Sequence, residues 1–79
     1  MVYLTQIDKQ NGTISCNYSP ENSGEIGRLS IDVATGNFLE AQKTAFDLDT
    51  DIYIAKAKFK LLDLALRDFV PAKSIVAWY

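Results

Sequence analysis

The sequence contains no histidine. Histidine is the commonest general base, a member of the usual catalytic triads and the commonest metal ligand, so its absence excludes these three kinds of site. The four glycines follow no phosphate-loop spacing, and none of them opens a predicted helix. We therefore predict a chain that is not an enzyme and that holds neither a metal ion nor another cofactor.

Cysteine occurs once, at Cys16. A single cysteine forms no intramolecular disulfide and cannot complete a closed cysteine zinc site, which favours a reducing compartment. Cys16 is in phase with Ile14 and Tyr18 on one face of a predicted strand, and no basic neighbour in sequence lowers its pKa. We expect a buried structural thiol and not a nucleophile.

The sequence also lacks long apolar segments. No stretch reaches the ~20 apolar residues that a membrane-spanning helix needs, and residues 1–8 lack the basic and apolar regions of a signal peptide. The net charge is −2, and the basic residues outside the predicted helix are scattered, so no electrostatic surface for nucleic acid is indicated. We expect a cytoplasmic protein that binds neither membranes nor DNA or RNA.

The composition is that of an ordinary folded domain. The chain has 79 residues, of which 48% are hydrophobic and 23% are charged, as is typical of globular proteins. We predict one domain over residues 1–79. A domain of this size lies near the lower limit at which a hydrophobic core suffices, so we expect modest stability or stability shared with a partner.

Five segments have the alternation or the β-branched and aromatic composition of strands. They cover residues 2–7, 13–18, 26–33, 37–44 and 74–79. Asn11-Gly12 is a strong signal for the first hairpin turn, and Asp32 with Gly36 predicts a tight turn in the second hairpin. Together these segments predict an antiparallel sheet.

One long helix is predicted over residues 52–69. It ends before Val70-Pro71, because the residue that precedes proline avoids the helical conformation. The element order is therefore ββββαβ, an α+β fold in which the helix lies across one face of a small antiparallel sheet. The order of the strands in space stays open, although a final strand that follows a helix can return to the interior of the sheet beside the first.

Three carboxylates, at Asp47, Asp49 and Asp51, precede the predicted helix. Carboxylates in this position cap free backbone N–H groups and interact favourably with the helix dipole. The spacing also matches the opening of a calcium-binding loop, but Ile52 stands at the glycine position and Lys58 at the glutamate position. We interpret the cluster as a helix cap.

The predicted helix carries two apolar strips on different sides. One strip consists of Ile52, Ala55, Phe59, Leu62, Leu66 and Phe69. The other consists of Tyr53, Ala57, Leu61 and Leu64. A small sheet covers one apolar stripe of a helix, so the remaining strip predicts a further partner. We take Tyr53, Ala57, Leu61 and Leu64 as the candidate interface.

The terminal aromatic pair, Trp78 and Tyr79, is a second candidate for an interface or for stacking on a ligand. The alternative is that one ring enters the core and the other covers the outer face of the sheet. If Val2, Phe38 and Val76 also lay on that outer face, the sheet would present an apolar surface that favours association.

Three functional hypotheses follow. The leading one is a non-catalytic protein-interaction module, whose partner is a second copy in a homodimer or another protein. The alternative is a small-ligand-binding domain, with a pocket between helix and sheet that is flanked by Tyr18, Tyr53 or Trp78. The least supported is an enzyme that works with carboxylates alone, for which Asp32 and Glu40 are the residues to test.

Overall fold

The computed structural model of the chain describes residues 1–67 and 69–77. A five-stranded antiparallel sheet carries one α-helix across one face, which confirms the predicted α+β fold and the ββββαβ order. The strands are β1 Val2–Gln10, β2 Thr13–Pro20, β3 Gly27–Asp32, β4 Phe38–Gln42 and β5 Ser74–Val76. A short 3₁₀ turn, Ala45–Asp47, precedes the helix α1, which covers Ile52–Ala65.

The strands lie in the order β4-β3-β2-β1-β5, and every neighbouring pair is antiparallel. The last strand lies beside the first, with Tyr3 opposite Ile75. It forms an edge of the sheet, so the expectation of an interior position is wrong. The reason is that three successive antiparallel pairings, β1 with β2, β2 with β3 and β3 with β4, place these strands on the same side of β1, so only the other side of β1 is left for β5.

Both predicted hairpin turns are confirmed. Asn11 and Gly12 both have positive φ, 50° and 80°, as the two central residues of a type I′ turn require. In the second turn the Gly36 N–H donates to the Asp32 carbonyl at 2.7 Å, and the Ala34 N–H donates to the Asp32 carboxylate at 3.0 Å. Gly36 has a φ of 77°, which an L side chain would disfavour.

The core lies between the inner face of the sheet and one side of α1. Alternation along the strands directs every second side chain inward, and the helix adds one face. The buried apolar residues are Val2, Leu4, Ile7, Ile14, Cys16, Tyr18, Leu29 and Ile31 from the sheet, with Ile54, Ala57, Leu61, Leu64 and Ala65 from α1. Cys16 is completely buried, as the sequence predicted.

The helix is shorter than predicted, since it ends at Ala65 and not at Phe69. Beyond Ala65, N–H groups donate to the carbonyl three residues earlier instead of four. The Arg67 N–H, for example, donates to the Leu64 carbonyl at 3.1 Å. The ammonium of Lys9, on β1, donates to the Ala65 carbonyl at 2.7 Å. In a longer helix that carbonyl would accept the N–H of Phe69, so a tertiary contact takes its place. Within the described ranges, no helix is long and apolar enough to cross a membrane.

Candidate protein-interaction face

A buried carboxylate, that of Asp47, fixes the start of α1. It accepts the Tyr53 N–H at 2.8 Å on one oxygen and the Ile54 N–H at 3.1 Å on the other. These are N–H groups of the first helical turn, which have no partner within the helix. The cap predicted from the acidic cluster is therefore supplied by Asp47. Asp51, directly before the helix, makes no side-chain cap and pairs with the Lys43 ammonium at 2.6 Å.

The Asp47 carboxylate also ties α1 to the sheet. The Tyr18 hydroxyl, on β2, donates to Asp47 at 2.6 Å and accepts the Thr44 N–H at 3.1 Å. Burial, with a smaller contribution from the hydrogen bond to Asp47, raises the pKa of Tyr18 to about 12. The Tyr18 hydroxyl and both Asp47 carboxylate oxygens are engaged in these contacts, and the described residues include no cluster of three metal-binding side chains.

The side of α1 that faces the sheet is the strip predicted to face a partner. Ala57, Leu61 and Leu64 are buried in the core, so the expectation that they form an open surface is wrong. The small side chain of Ala57 lets the helix lie close to the sheet at this point. Tyr53, the fourth member, is half-buried at the margin of the core, and its hydroxyl donates to Glu21 at 3.2 Å. Trp78 and Tyr79 lie outside the described residues.

The opposite side of α1 is apolar and open to solvent. Ile52, Phe59 and Leu66, which we call the outer row, are 47%, 65% and 83% exposed. They are spaced by seven residues, close to two helical turns, so they lie one above another. At about 100° per residue, Phe59 points directly away from the centre of the buried face. The surplus apolar strip that the sequence predicted exists, but it is the other of the two.

A groove between α1 and β4 adjoins the outer row, with a volume of about 340 Å³. It is lined by Phe38, Ala41, Lys43, Asp51, Ile54, Ala55, Lys58 and Phe59. The Lys58 ammonium lies 5.1 Å from the centre of the Phe38 ring, a distance typical of a cation–π contact. Because Phe59 belongs to both, the outer row and the groove form one continuous apolar surface.

The side of the outer row away from the groove is charged. We call Lys56 and Asp63, both exposed, the charged flank. Asp63 pairs with the Arg67 guanidinium one turn later at 3.0 Å. We call the outer row, the groove and the charged flank together the candidate face. It has an apolar centre, an apolar groove on one side and opposite charges on the other.

Val2, Phe38 and Val76 do not form an apolar surface on the outer face of the sheet, which corrects that expectation. Val2 is completely buried in the core, Val76 packs against the core, and Phe38 lines the groove on the helix side. The outer face instead carries a polar network around Arg28, which contacts Glu40 at 3.4 Å and donates to Asn17 at 3.1 Å. The sheet also exposes Leu39 and Ile75, but the row of aligned apolar side chains lies on α1.

The other groups named as possible catalysts have structural roles. Burial raises the pKa of the Cys16 thiol to about 12, although nearby Arg28 acts in the opposite direction. The thiol is therefore neutral at ordinary pH and is a poor nucleophile. The Asp32 carboxylate accepts a turn N–H, and Glu40 is paired with Arg28.

Comparison with known proteins adds no relative. No protein-family model, no curated protein and no solved structure matches the chain.

The residues that sequence reasoning missed are Tyr18 and Asp47 as a pair, and Phe38 as a wall of the groove. A signal for the first was present, because an inward-facing tyrosine hydroxyl needs a buried hydrogen-bond partner.

Proposed function

We propose that the chain is a non-catalytic protein-interaction module that binds through the outer row of α1 and the adjoining groove. The observation that carries the proposal is the exposure of Ile52, Phe59 and Leu66 on a helix whose opposite side is completely buried. Single exposed apolar residues are normal on a protein surface. A continuous apolar face with a groove beside it is typical of interaction sites.

The chemistry of the face suits protein recognition. Burial of a large apolar side chain contributes about 1.5–3 kcal/mol, so the outer row offers a substantial driving force. Phe59 lies at the centre of the row, and buried aromatic side chains at the centre of an interface contribute most to binding. The neighbouring charges of Lys56 and Asp63 supply the polar rim that interfaces of this kind have.

The edges of the sheet are less suited to binding by strand addition. The β4 edge has an irregular register between Ser30 and Ile31 and carries Glu40. Irregularity and charge both disfavour pairing with another strand. The described part of the β5 edge, Ser74–Val76, is a short strand of three residues. These features support the helix face as the binding surface.

We extend the proposal to a protein of the reducing cytoplasm without a catalytic role. The one cysteine is a buried free thiol, and disulfides are scarce where thiols stay reduced. The buried ionisable groups Cys16, Tyr18 and Asp47 lie in the core or hold the helix, which supports a structural role for each.

Site-specific photo-crosslinking tests the proposal. A benzophenone side chain replaces Phe59 in the chain as it is produced in cells. A second sample carries it at Ile26, which is 67% exposed, lies before β3 and lines neither the outer row nor the groove. We expect a covalent adduct with a polypeptide at position 59 and none at position 26. Equal adducts at both positions, or none at position 59, would contradict the proposal.

A second candidate function rests on the groove itself. Its volume of about 340 Å³ and its two phenylalanine walls, Phe38 and Phe59, suit a small apolar ligand. The pocket predicted beside Tyr18 has no such opening, since the Tyr18 side chain is completely buried. A saturable rise in melting temperature with an apolar metabolite would support this function if Phe38→Ala removes it and Leu39→Ala, an exposed neighbour outside the groove, does not. A flat response across a broad metabolite library would count against it.

A further inference from the structure

We propose that the partner on the outer row is a second copy of this chain, packed with its α1 antiparallel about a two-fold axis that passes at Phe59. This inference rests on the proposed function, because it names the occupant of the same face. Three properties of the face support it: the spacing of its apolar residues, the placement of its charges and the position of the groove.

The apolar residues of the face are spaced symmetrically about Phe59. Ile52 and Leu66 lie seven residues before and after it, and Ala55 and Leu62 lie four before and three after. A two-fold axis at Phe59 reverses the direction of the helix, so Ile52 meets Leu66 of the second copy. Ala55 meets Leu62 of the second copy in the same way, a small side chain opposite a large one. The face is therefore complementary to itself, as a two-fold interface requires.

The charges are also complementary under this axis. Lys56 and Asp63 lie on the same side of the outer row, three residues before and four residues after Phe59. A two-fold axis perpendicular to both helices leaves the charged flanks of the two copies on the same side of the contact. It also reverses the direction of the helix, so a residue that follows Phe59 in one copy lies beside a residue that precedes Phe59 in the other. Lys56 of one copy then lies within about one residue, roughly 1.5 Å along the axis, of Asp63 in the second copy. Because the axis repeats the contact, each dimer contains two such opposite-charge pairs.

The parallel arrangement lacks this match. An axis parallel to the helices brings the charged flank of one copy against the groove side of the other. Lys56 would then lie near Lys58 of the second copy, since both are close to the same height on α1. Like charges opposite one another disfavour a contact. The antiparallel arrangement instead places the two grooves side by side, on the side of the contact away from the charged flank.

The size of the face sets the strength of association. A helix of 14 residues is about 21 Å long, and one helix face alone covers less than the ~800 Å² per partner of a standard interface. The groove walls at Phe38 and Phe59 add to the contact. We expect a dimer that dissociates on dilution, with the free chain remaining folded.

Charge reversal followed by mixing tests the arrangement. Lys56→Glu alone and Asp63→Lys alone each replace two attractive pairs by two repulsive ones, and each is expected to raise the dimer dissociation constant about tenfold. In an equimolar mixture, both cross-pairs are again of opposite charge, and association should return to nearly the wild-type strength. Sedimentation equilibrium measures the constants. Lys73→Glu and Glu25→Lys, which change the same charges at exposed positions away from the face, should leave the constant unchanged.

Each outcome is decisive. Restored association in the mixture supports the antiparallel dimer, and mixing without restoration overturns this axis. A wild-type chain that stays monomeric at every concentration overturns self-association, while a crosslink from position 59 to a different polypeptide would keep the proposed function. A dimer that persists unchanged in Phe59→Glu overturns this arrangement, because its interface then lies elsewhere, and the proposed function is overturned as well only if the benzophenone at position 59 gives no adduct.

Discussion

Phe59 and Leu61 are two residues apart on α1 and point to opposite sides of the helix: Phe59 is 65% exposed, whereas Leu61 is completely buried. Two residues turn a helix by about 200°, so one side chain enters the core when the other leaves it. Because of this opposition, α1 covers the sheet with one side and leaves the other side, on which we propose that a partner binds, open to solvent.

Substitutions at these two positions should separate stability from association. Leu61→Ala leaves a cavity in the core and is expected to lower the free energy of unfolding by about 2–5 kcal/mol. Phe59→Ala removes a side chain that is mostly exposed and should change the stability of the monomer by less than about 0.5 kcal/mol. Urea denaturation at low protein concentration measures both. Similar losses in the two variants would contradict the placement of α1.

The cap of α1 predicts a large effect at one of the three aspartates. Asp47→Asn replaces a carboxylate that accepts from two helix N–H groups and from Tyr18. The amide NH₂ takes the place of one carboxylate oxygen, so a donor then faces a donor. We expect a loss of about 2–4 kcal/mol in the free energy of unfolding. Asp49→Asn, at an exposed position, is the matched control and should lie within about 0.5 kcal/mol of wild type. Equal effects would show that Asp47 is not the cap.

Gly27 on β3 has no room for a side chain. A Cβ there would lie 2.6 Å from the Gln42 carbonyl oxygen and in steric conflict with the Tyr18 ring. Gly27→Ala must therefore displace the Tyr18 ring or the Gln42 backbone, and we expect a loss of at least about 2 kcal/mol. Gly24→Ala meets open space but has a φ of 85°, so only about 1 kcal/mol is expected from backbone strain. A smaller loss at Gly27 than at Gly24, measured by urea denaturation, would contradict this packing.

Alkaline pH should destabilise the fold through two buried acids. The pKa of Cys16 is raised from 9.0 to about 12 and that of Tyr18 from 10.0 to about 12. The unfolded chain therefore releases these protons first, and the stabilisation present below about pH 9 declines as pH rises toward 12. Each group contributes a slope of up to about 1.4 kcal/mol per pH unit. Cys16→Ala should reduce the decline between pH 9 and 10, and an unchanged decline would contradict the burial of the thiol.

Local signals in the sequence were sufficient for most of the fold. Asn11-Gly12 and Asp32 with Gly36 mark turns through backbone requirements that few other residues meet. Strict alternation in β2 identifies Ile14, Cys16 and Tyr18 as the inner face without any knowledge of what covers them. These features depend on near neighbours in the chain, so the pattern predicts them directly.

The rotation of α1 about its axis could not be predicted in the same way. Both apolar strips have helical periodicity, and the choice between them depends on contacts between distant residues. Tyr18 and Asp47 are 29 positions apart, and Lys9 and Ala65 are 56 positions apart. The first contact fixes the start of the helix and the second fixes its end, which is also why the helix stops before Phe69. Ala57 on the buried strip and Ala65 beside it were a usable signal, because small side chains allow close approach to a sheet.

The solution mass of the wild type and of Phe59→Glu shows whether the outer row of α1 contacts a second copy, as we propose. Light scattering after size-exclusion chromatography, over a series of loading concentrations, measures it, with Ile26→Glu as an equally exposed control. We predict a mass that rises toward twice the chain mass with concentration in the wild type and in Ile26→Glu, and a constant monomer mass in Phe59→Glu. The same mass in the wild type and in Phe59→Glu at every concentration would contradict the account.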